Sequence, residues 1–345
     1  MNQRRFLLRS APGQRQEEVR TKCLRVVAIL SLVPVCLAGC KKPWPFLEDR
    51  YSKIPPDAVK GTPATDPFPP FTVSAEYEAP VPMTGPVNSA GAEDSPFITP
   101  DGQEFYFFFT PDVRVPVNQQ LLDSVTGIWS CRLEGGNWTE PKRVVLSNNV
   151  ALDGCEQAIG DTLWFASTRS SDMLGNIDVF HAVRRDGEWA DWRNAGKQLN
   201  VDYDIGEFHL TSDHQTMYFG SPEGTSDYDL WSMQRNATGW DAPVRLGTNV
   251  NDSHNQSQPY VSTDMQELWY TGWCDTIMGP CVYRCRLDST GNWGPAELIV
   301  ARFAGEPTLD DAGNLYFVHH YFTGANNDTM LEADIYLCRK KVRQR

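Results

Sequence analysis

The chain has no CxxC pair and no cysteine and histidine spacing suited to a structural zinc, although it holds nine cysteines and six histidines. A metal-stapled module is therefore not its plan. It is also short of positive charge, with 31 Lys and Arg against 44 Asp and Glu, a net −13. A body of that sign repels polyanions, so nucleic acid and anionic bilayer surfaces are poor partners. No helical period runs through the residues after Glu93. The one sustained apolar stretch, Val26 to Leu37, is too short to span a membrane.

What the chain does contain is one unit of about fifty residues, restated five times from Glu93 to the C-terminus. The copies open on Glu93, Glu156, Glu207, Gln256 and Glu306, at intervals of 63, 51, 49 and 50 residues, so only the first carries an insertion. Each unit reads as four strands. A short apolar run and a turn precede an aromatic-rich run: Phe105 to Thr110, Leu163 to Thr168, Met217 to Ser221, Leu268 to Gly272 and Leu315 to His319. An Asp then leads the third strand at Asp178, Asp229 and Asp334, with Gly127 and Cys281 in its place in the other copies. A Trp starts the fourth at Trp138, Trp189, Trp240 and Trp293.

Four antiparallel strands per repeat predict an all-β, five-bladed β-propeller of four-stranded blades. The fifth copy ends soon after its third strand, and Tyr77 to Ser89 matches the fourth-strand pattern of Trp240 to Asp252. An N-terminal outer strand is thus expected to close the ring and remove the exposed sheet edges. These E-x-x-P, S/T-x-D-G, L-Y/W-F, D-I/L-W/Y and W-x-x-P elements resemble the TolB-type, WD-repeat-like β-propeller repeats of bacterial envelope proteins. The resemblance implies a secreted interaction module, a monomer, and no particular chemistry.

The division expected is residues 1–40 as signal, 41–70 as tether and 71–345 as propeller. Arg20, Lys22 and Arg25 precede the apolar stretch, and Leu37-Ala38-Gly39-Cys40 resembles the lipobox of bacterial lipoproteins. Cys40 is then the lipidated N-terminus of a more acidic chain, at net −18, because seven basic and two acidic residues leave with the signal. Lys41 and Lys42, in place of an inner-membrane retention Asp, favour the outer membrane. The Pro-rich stretch that follows predicts an extended, semi-rigid tether.

Six of the nine cysteines lie in the propeller. Cys274 and Cys281 bracket one loop and are the best candidate disulfide. Cys131, Cys285 and Cys338 share a third-strand position with Ala182 and Met233, which predicts apolar packing.

Strand geometry places Glu93, Glu156, Glu207, Gln256 and Glu306 around one mouth of the central channel. Three roles are open to them. They can accept backbone hydrogen bonds where strand meets loop, or their carboxylates can hold a hard cation such as Ca²⁺. They can also serve as the acids of a glycoside hydrolase, as in five-bladed arabinanase- and xylosidase-type enzymes that resemble this layout. One position repeated in every blade favours the architectural role. Trp273, His319, His320 and Tyr321 form a candidate aromatic ligand platform, whereas His209 reads as a core or channel histidine. The expected function is non-enzymatic binding of a glycan, peptide or envelope protein on the loop-rich face, with a glycoside hydrolase as the alternative and no cofactor.

Overall fold

The computed structural model describes residues 49–203, 205, 207–223, 227–323 and 329–342. The signal segment, Cys40 and residues 41–48 of the tether lie outside the described residues. Among the described residues no helix is long and apolar enough to cross a membrane.

Five antiparallel sheets follow one another in chain order. Blade 1 runs through Ala92–Ile98, Glu104–Thr110 and Gly127–Glu134, with its outer edge split between Asn137–Trp138 and Lys142–Arg143. Blade 2 is Ala151–Ile159, Thr162–Arg169, Asp178–Arg185 and Glu188–Asn194. Blade 3 is Phe208–Leu210, Thr216–Ser221 and Asp229–Asn236, edged by Gly239–Trp240 and Val244–Arg245. Blade 4 is Gln256–Val261, Glu267–Cys274, Gly279–Arg286 and Glu297–Ala301. Blade 5 is Ala304–Leu309, Leu315–Thr323 and Thr329–Cys338.

The aromatic runs are second strands because each blade is buried on both faces. Alternate residues of a strand point to opposite sides, and in blade 1 Phe105 meets Tyr316 of blade 5 while Tyr106 meets Trp189 of blade 2. That second contact recurs around the ring. The outer-strand aromatic of one blade packs on the second-strand aromatic of the preceding one, as Trp293 does on Tyr218 and Tyr77 on Trp269. The third-strand position shared by Cys131, Ala182, Met233, Cys285 and Cys338 is buried in every blade, as expected for packing between blades. Cys274 and Cys281 do not pair. Both are free thiols, because the ladder sets Cys274 opposite Gly279 and Cys281 opposite Gly272.

Ring closure is as the sequence predicts. Val81 and Pro82 pair with Leu337 and Tyr336 to complete blade 5, and Tyr77 bridges Lys340. One strand was not foreseen: Phe71 and Thr72 add a fifth strand to blade 4 through Ala301 and Val300.

The tether differs more. From Asp49 onward it lies as a strap against blades 1 and 5 rather than extending away. Arg50 pairs with Glu93 at 3.0 Å, Lys60 contacts Asp334 and Glu332, and Asp66 Oδ2 lies 2.7 Å from His319 Nε2. Phe68 packs edge-on against Phe303 at 5.9 Å. The cause is electrostatic, since Glu93, Glu332, Asp334 and His319 are buried on the propeller and buried ionisable groups need partners.

A further device recurs. Asn88, Asn200 and Asn251 each hold the residue after the Asp that leads the third strand, both accepting from its N–H and donating to its C=O: Ile335, Val179 and Leu230 respectively. Each lies eleven residues after the outer-strand aromatic, Tyr77, Trp189 or Trp240. This spacing is the sequence signal for a clamp that repeat reading overlooked.

Candidate functional site

The axial cavity is built from the inner strands of all five blades. Each contributes a triplet, centred on Pro96, Glu156, Phe208, Pro259 and Pro307. In the ladders Phe97, Gln157, His209, Tyr260 and Thr308 stand opposite equivalent second-strand aromatics, which fixes the register. On that register the five repeat-opening residues are not one position. Glu207 and Glu306 open their triplets, Glu156 sits in the middle of its own, and Glu93 and Gln256 lie two residues earlier, outside the cavity wall. Four inner strands carry a bulge at the same place, the start of the triplet, so the acids differ because the triplets recur at intervals of 60, 52, 51 and 48 residues, not at the intervals of the repeat-opening residues. Ser95, Cys155, Gln258 and Glu306 mark those bulges with φ of 46, 51, 53 and 56°.

The roles divide accordingly. Glu93 accepts from Ser89 N–H at 2.9 Å, and Gln256 accepts from Asp252 N–H at 3.3 Å, the strand-to-loop contact expected of an architectural residue. Burial pushes the Glu93 carboxyl up to about 7 against the pull of Arg50 and Ser89. Glu156 has no such partner among the described residues: it is 5% exposed, and neither carboxylate oxygen accepts a hydrogen bond of good geometry. Burial raises it well above the usual carboxylate range, Asp94 and Asp153 add repulsion, and its own amide and Arg143 oppose the shift.

Glu306 is held on all sides. Its Oε2 accepts from Ser95 N–H at 2.7 Å, its Oε1 from Gln258 Nε2 at 2.7 Å, and its own N–H donates to Thr271 Oγ1 at 2.8 Å. Burial raises its carboxyl well above normal, reinforced by the charge of Asp94 and a hydrogen bond with it. His209 packs at a tilt of 59° against Tyr260, 4.7 Å between ring centroids, and burial pushes it down to about 3, so it is a neutral channel histidine. The cavity holds about 70 Å³, room for an ion or a few waters.

The aromatic platform is not assembled as expected. His319 and Tyr321 are buried, His319 with Asp66 of the strap against its ring and Tyr321 hydrogen-bonded to Asp334 and Tyr336. The side chain of His320, on the opposite face of the strand, sits half-buried beside Asp94 and Glu306. Trp273 stands apart, on a cleft of about 240 Å³ at blade 4 that it shares with Tyr283, Tyr270, Asn249, Asp252 and Gln256. Trp273 Nε1 donates to Asp275 Oδ1 at 3.2 Å, and His254 lies between Asp252 and Asp275 at 3.2 Å from each. Asp94, next to the expected Glu93, is the site residue that sequence reading passed over.

No protein-family model matches the chain, and no curated protein matches it. Among solved structures it is similar to TolB from Acinetobacter baumannii, with a TM-score of 0.42 and 11% identity over 74% of this chain and 57% of that one. It is likewise similar to the endo-arabinase from Bacteroides thetaiotaomicron, at 0.46 and 12% over 76% and 98%. A third neighbour is the arabinanase of Bacillus subtilis, at 0.42 and 12% over 74% and 96%.

Proposed function

We propose that the protein is a non-enzymatic propeller of the bacterial envelope that binds a glycan in the blade 4 cleft, as a monomer held by a lipid on Cys40. The observation that carries this reading is the cleft wall, which combines the rings of Trp273 and Tyr283 with the carboxylate of Asp252 and the amides of Asn249 and Gln256. A sugar ring presents C–H groups on its faces and hydroxyls on its edge, and apolar walls with a few fixed polar groups suit it. The lipobox-like Leu37-Ala38-Gly39-Cys40 supports the anchor.

Glycan-array screening followed by calorimetry tests the reading. Binding without turnover, lost in Trp273→Ala, is the expected result. Capture of a peptide or envelope protein but no glycan rejects it.

A second reading, glycoside hydrolysis, is favoured by the convergence of Asp94, Glu156, Glu207 and Glu306 from four blades at positions that the repeat does not impose. Two features oppose it. Asp94 and Glu306 carry carboxylate oxygens within 4.8 Å of each other, closer than the roughly 5–9.5 Å that separates glycosidase carboxylates, and the cavity is small for a sugar ring. Release of sugar that stops in a folded Glu156→Gln or Glu306→Gln variant would establish this alternative.

A further inference from the structure

At Glu306, a residue of the axial cavity wall, stands a constellation independent of the blade 4 cleft. One oxygen of Asp94, one of Glu306 and one ring nitrogen of His320 lie within 4.8 Å of one another. Asp94 comes from the inner strand of blade 1, and Glu306 and His320 come from adjacent strands of blade 5.

Three further observations point to a ligand at this place. The N–H of Ser95 is shared between Asp94 Oδ1 and Glu306 Oε2, both at 2.7 Å, and so draws the two carboxyl groups together. Gln258 fixes the other oxygen of Glu306, the kind of outer contact that orients a metal-binding carboxylate. Glu156, 5% exposed and, among the described residues, without a hydrogen-bond donor of good geometry on either oxygen, lines the cavity that Glu306 also lines. A buried carboxylate left this way is uncompensated by the protein, and a cation in the cavity compensates it.

We propose that Asp94, Glu306 and His320 bind one zinc-class divalent cation, with the remaining coordination position facing the cavity. The donor set selects the metal. Calcium takes six to eight oxygens and magnesium an octahedron of them, whereas one imidazole nitrogen with two carboxylates is a zinc-type set. Bonds of about 2.0–2.1 Å put tetrahedral ligand atoms roughly 3.3 Å apart. The donors lie within 4.8 Å of one another, and His320, which makes no ring hydrogen bond among the described residues, is the ligand free to close that spacing. This set replaces the calcium expected from Glu93, Glu156, Glu207 and Glu306, of which Glu93 is already committed to Arg50.

Calorimetric titration of the chelator-treated full-length chain with zinc, read alongside its melting temperature, tests the site. The expected result is one zinc per chain with a rise in melting temperature. His320→Ala and Glu306→Gln should abolish both, and Gln258→Ala should weaken binding by about 10–100-fold as an outer contact does. Trp273→Ala and Cys274→Ser should bind as the parent does, which separates this site from the glycan cleft and from a free thiol. No zinc uptake by the parent overturns the proposal, as does full uptake by His320→Ala or calcium binding as tightly as zinc. If Glu306→Gln fails to fold, His320→Ala decides.

Discussion

Arg50 donates to Glu93 Oε1 at 3.0 Å with both side chains buried, so a residue upstream of the propeller neutralises a carboxylate on the innermost strand of blade 1. The Arg50 guanidinium also lies over the rings of Phe107 and Phe109, at 5.4 and 5.3 Å, and donates to the carbonyl of Pro86. The strap is thereby part of the folded domain, even though its composition is that of a linker.

Removing one partner of this pair should expose its cost. Arg50→Met leaves Glu93 buried without its cation, a loss of about 3–5 kcal/mol for such pairs, whereas Arg50→Met with Glu93→Leu should recover most of it. Urea denaturation of the single and double variants checks this. Equal stability of parent and Arg50→Met would show that the strap is not integral.

Stability should fall as pH rises. Burial holds Glu93 up to about 7 and Glu332 up to about 8, and raises Glu156 well above its ordinary value, against 4.5 in the unfolded chain. Above pH 4.5 the folded chain therefore keeps protons that the unfolded chain releases, and each proton lost at higher pH removes stability. With chelator present, the melting temperature should be higher near about pH 5.5 than near about pH 8.5. Glu156→Gln, neutral throughout, should flatten the decline; an unchanged slope would contradict the buried, unpartnered state of Glu156.

The asparagine clamps should be sensitive to truncation. Asn251 is 2% exposed and satisfies both backbone groups of Leu230. Asn251→Ala should cost about 1–3 kcal/mol, because a buried N–H loses its acceptor. Asn200→Ala should behave alike. Asn149, at the corresponding spacing from Trp138, hydrogen-bonds locally to Ser147, and Asn149→Ala should be near neutral. Chemical denaturation of the three variants makes the comparison.

Deleting residues 71–89 should remove the closing strand of blade 5 and the added strand of blade 4 together. Two unpaired edges should then drive association. Size-exclusion chromatography and thermal melting of the truncated chain are the measurement; a monomer with the parental transition would refute closure through this segment.

The number of blades, the strand order, the buried thiol position and the closing strand were all legible in the sequence. Each follows from local periodicity or from a repeat that must bury the same face five times. What the repeat could not carry was register, since the inner-strand triplets do not recur at the intervals of the acids, and Glu156 falls one residue past the place that Glu306 holds. Pairing across the ring was also hidden. Asp94, Glu306 and His320 meet because blades 1 and 5 are neighbours only after closure, and the strap docks because buried charges on those blades need counter-charges. The sequence by itself determined that five like sheets would form and close. Only the tertiary structure decided which acids face one another, because that depends on long-range packing and desolvation that no local pattern encodes.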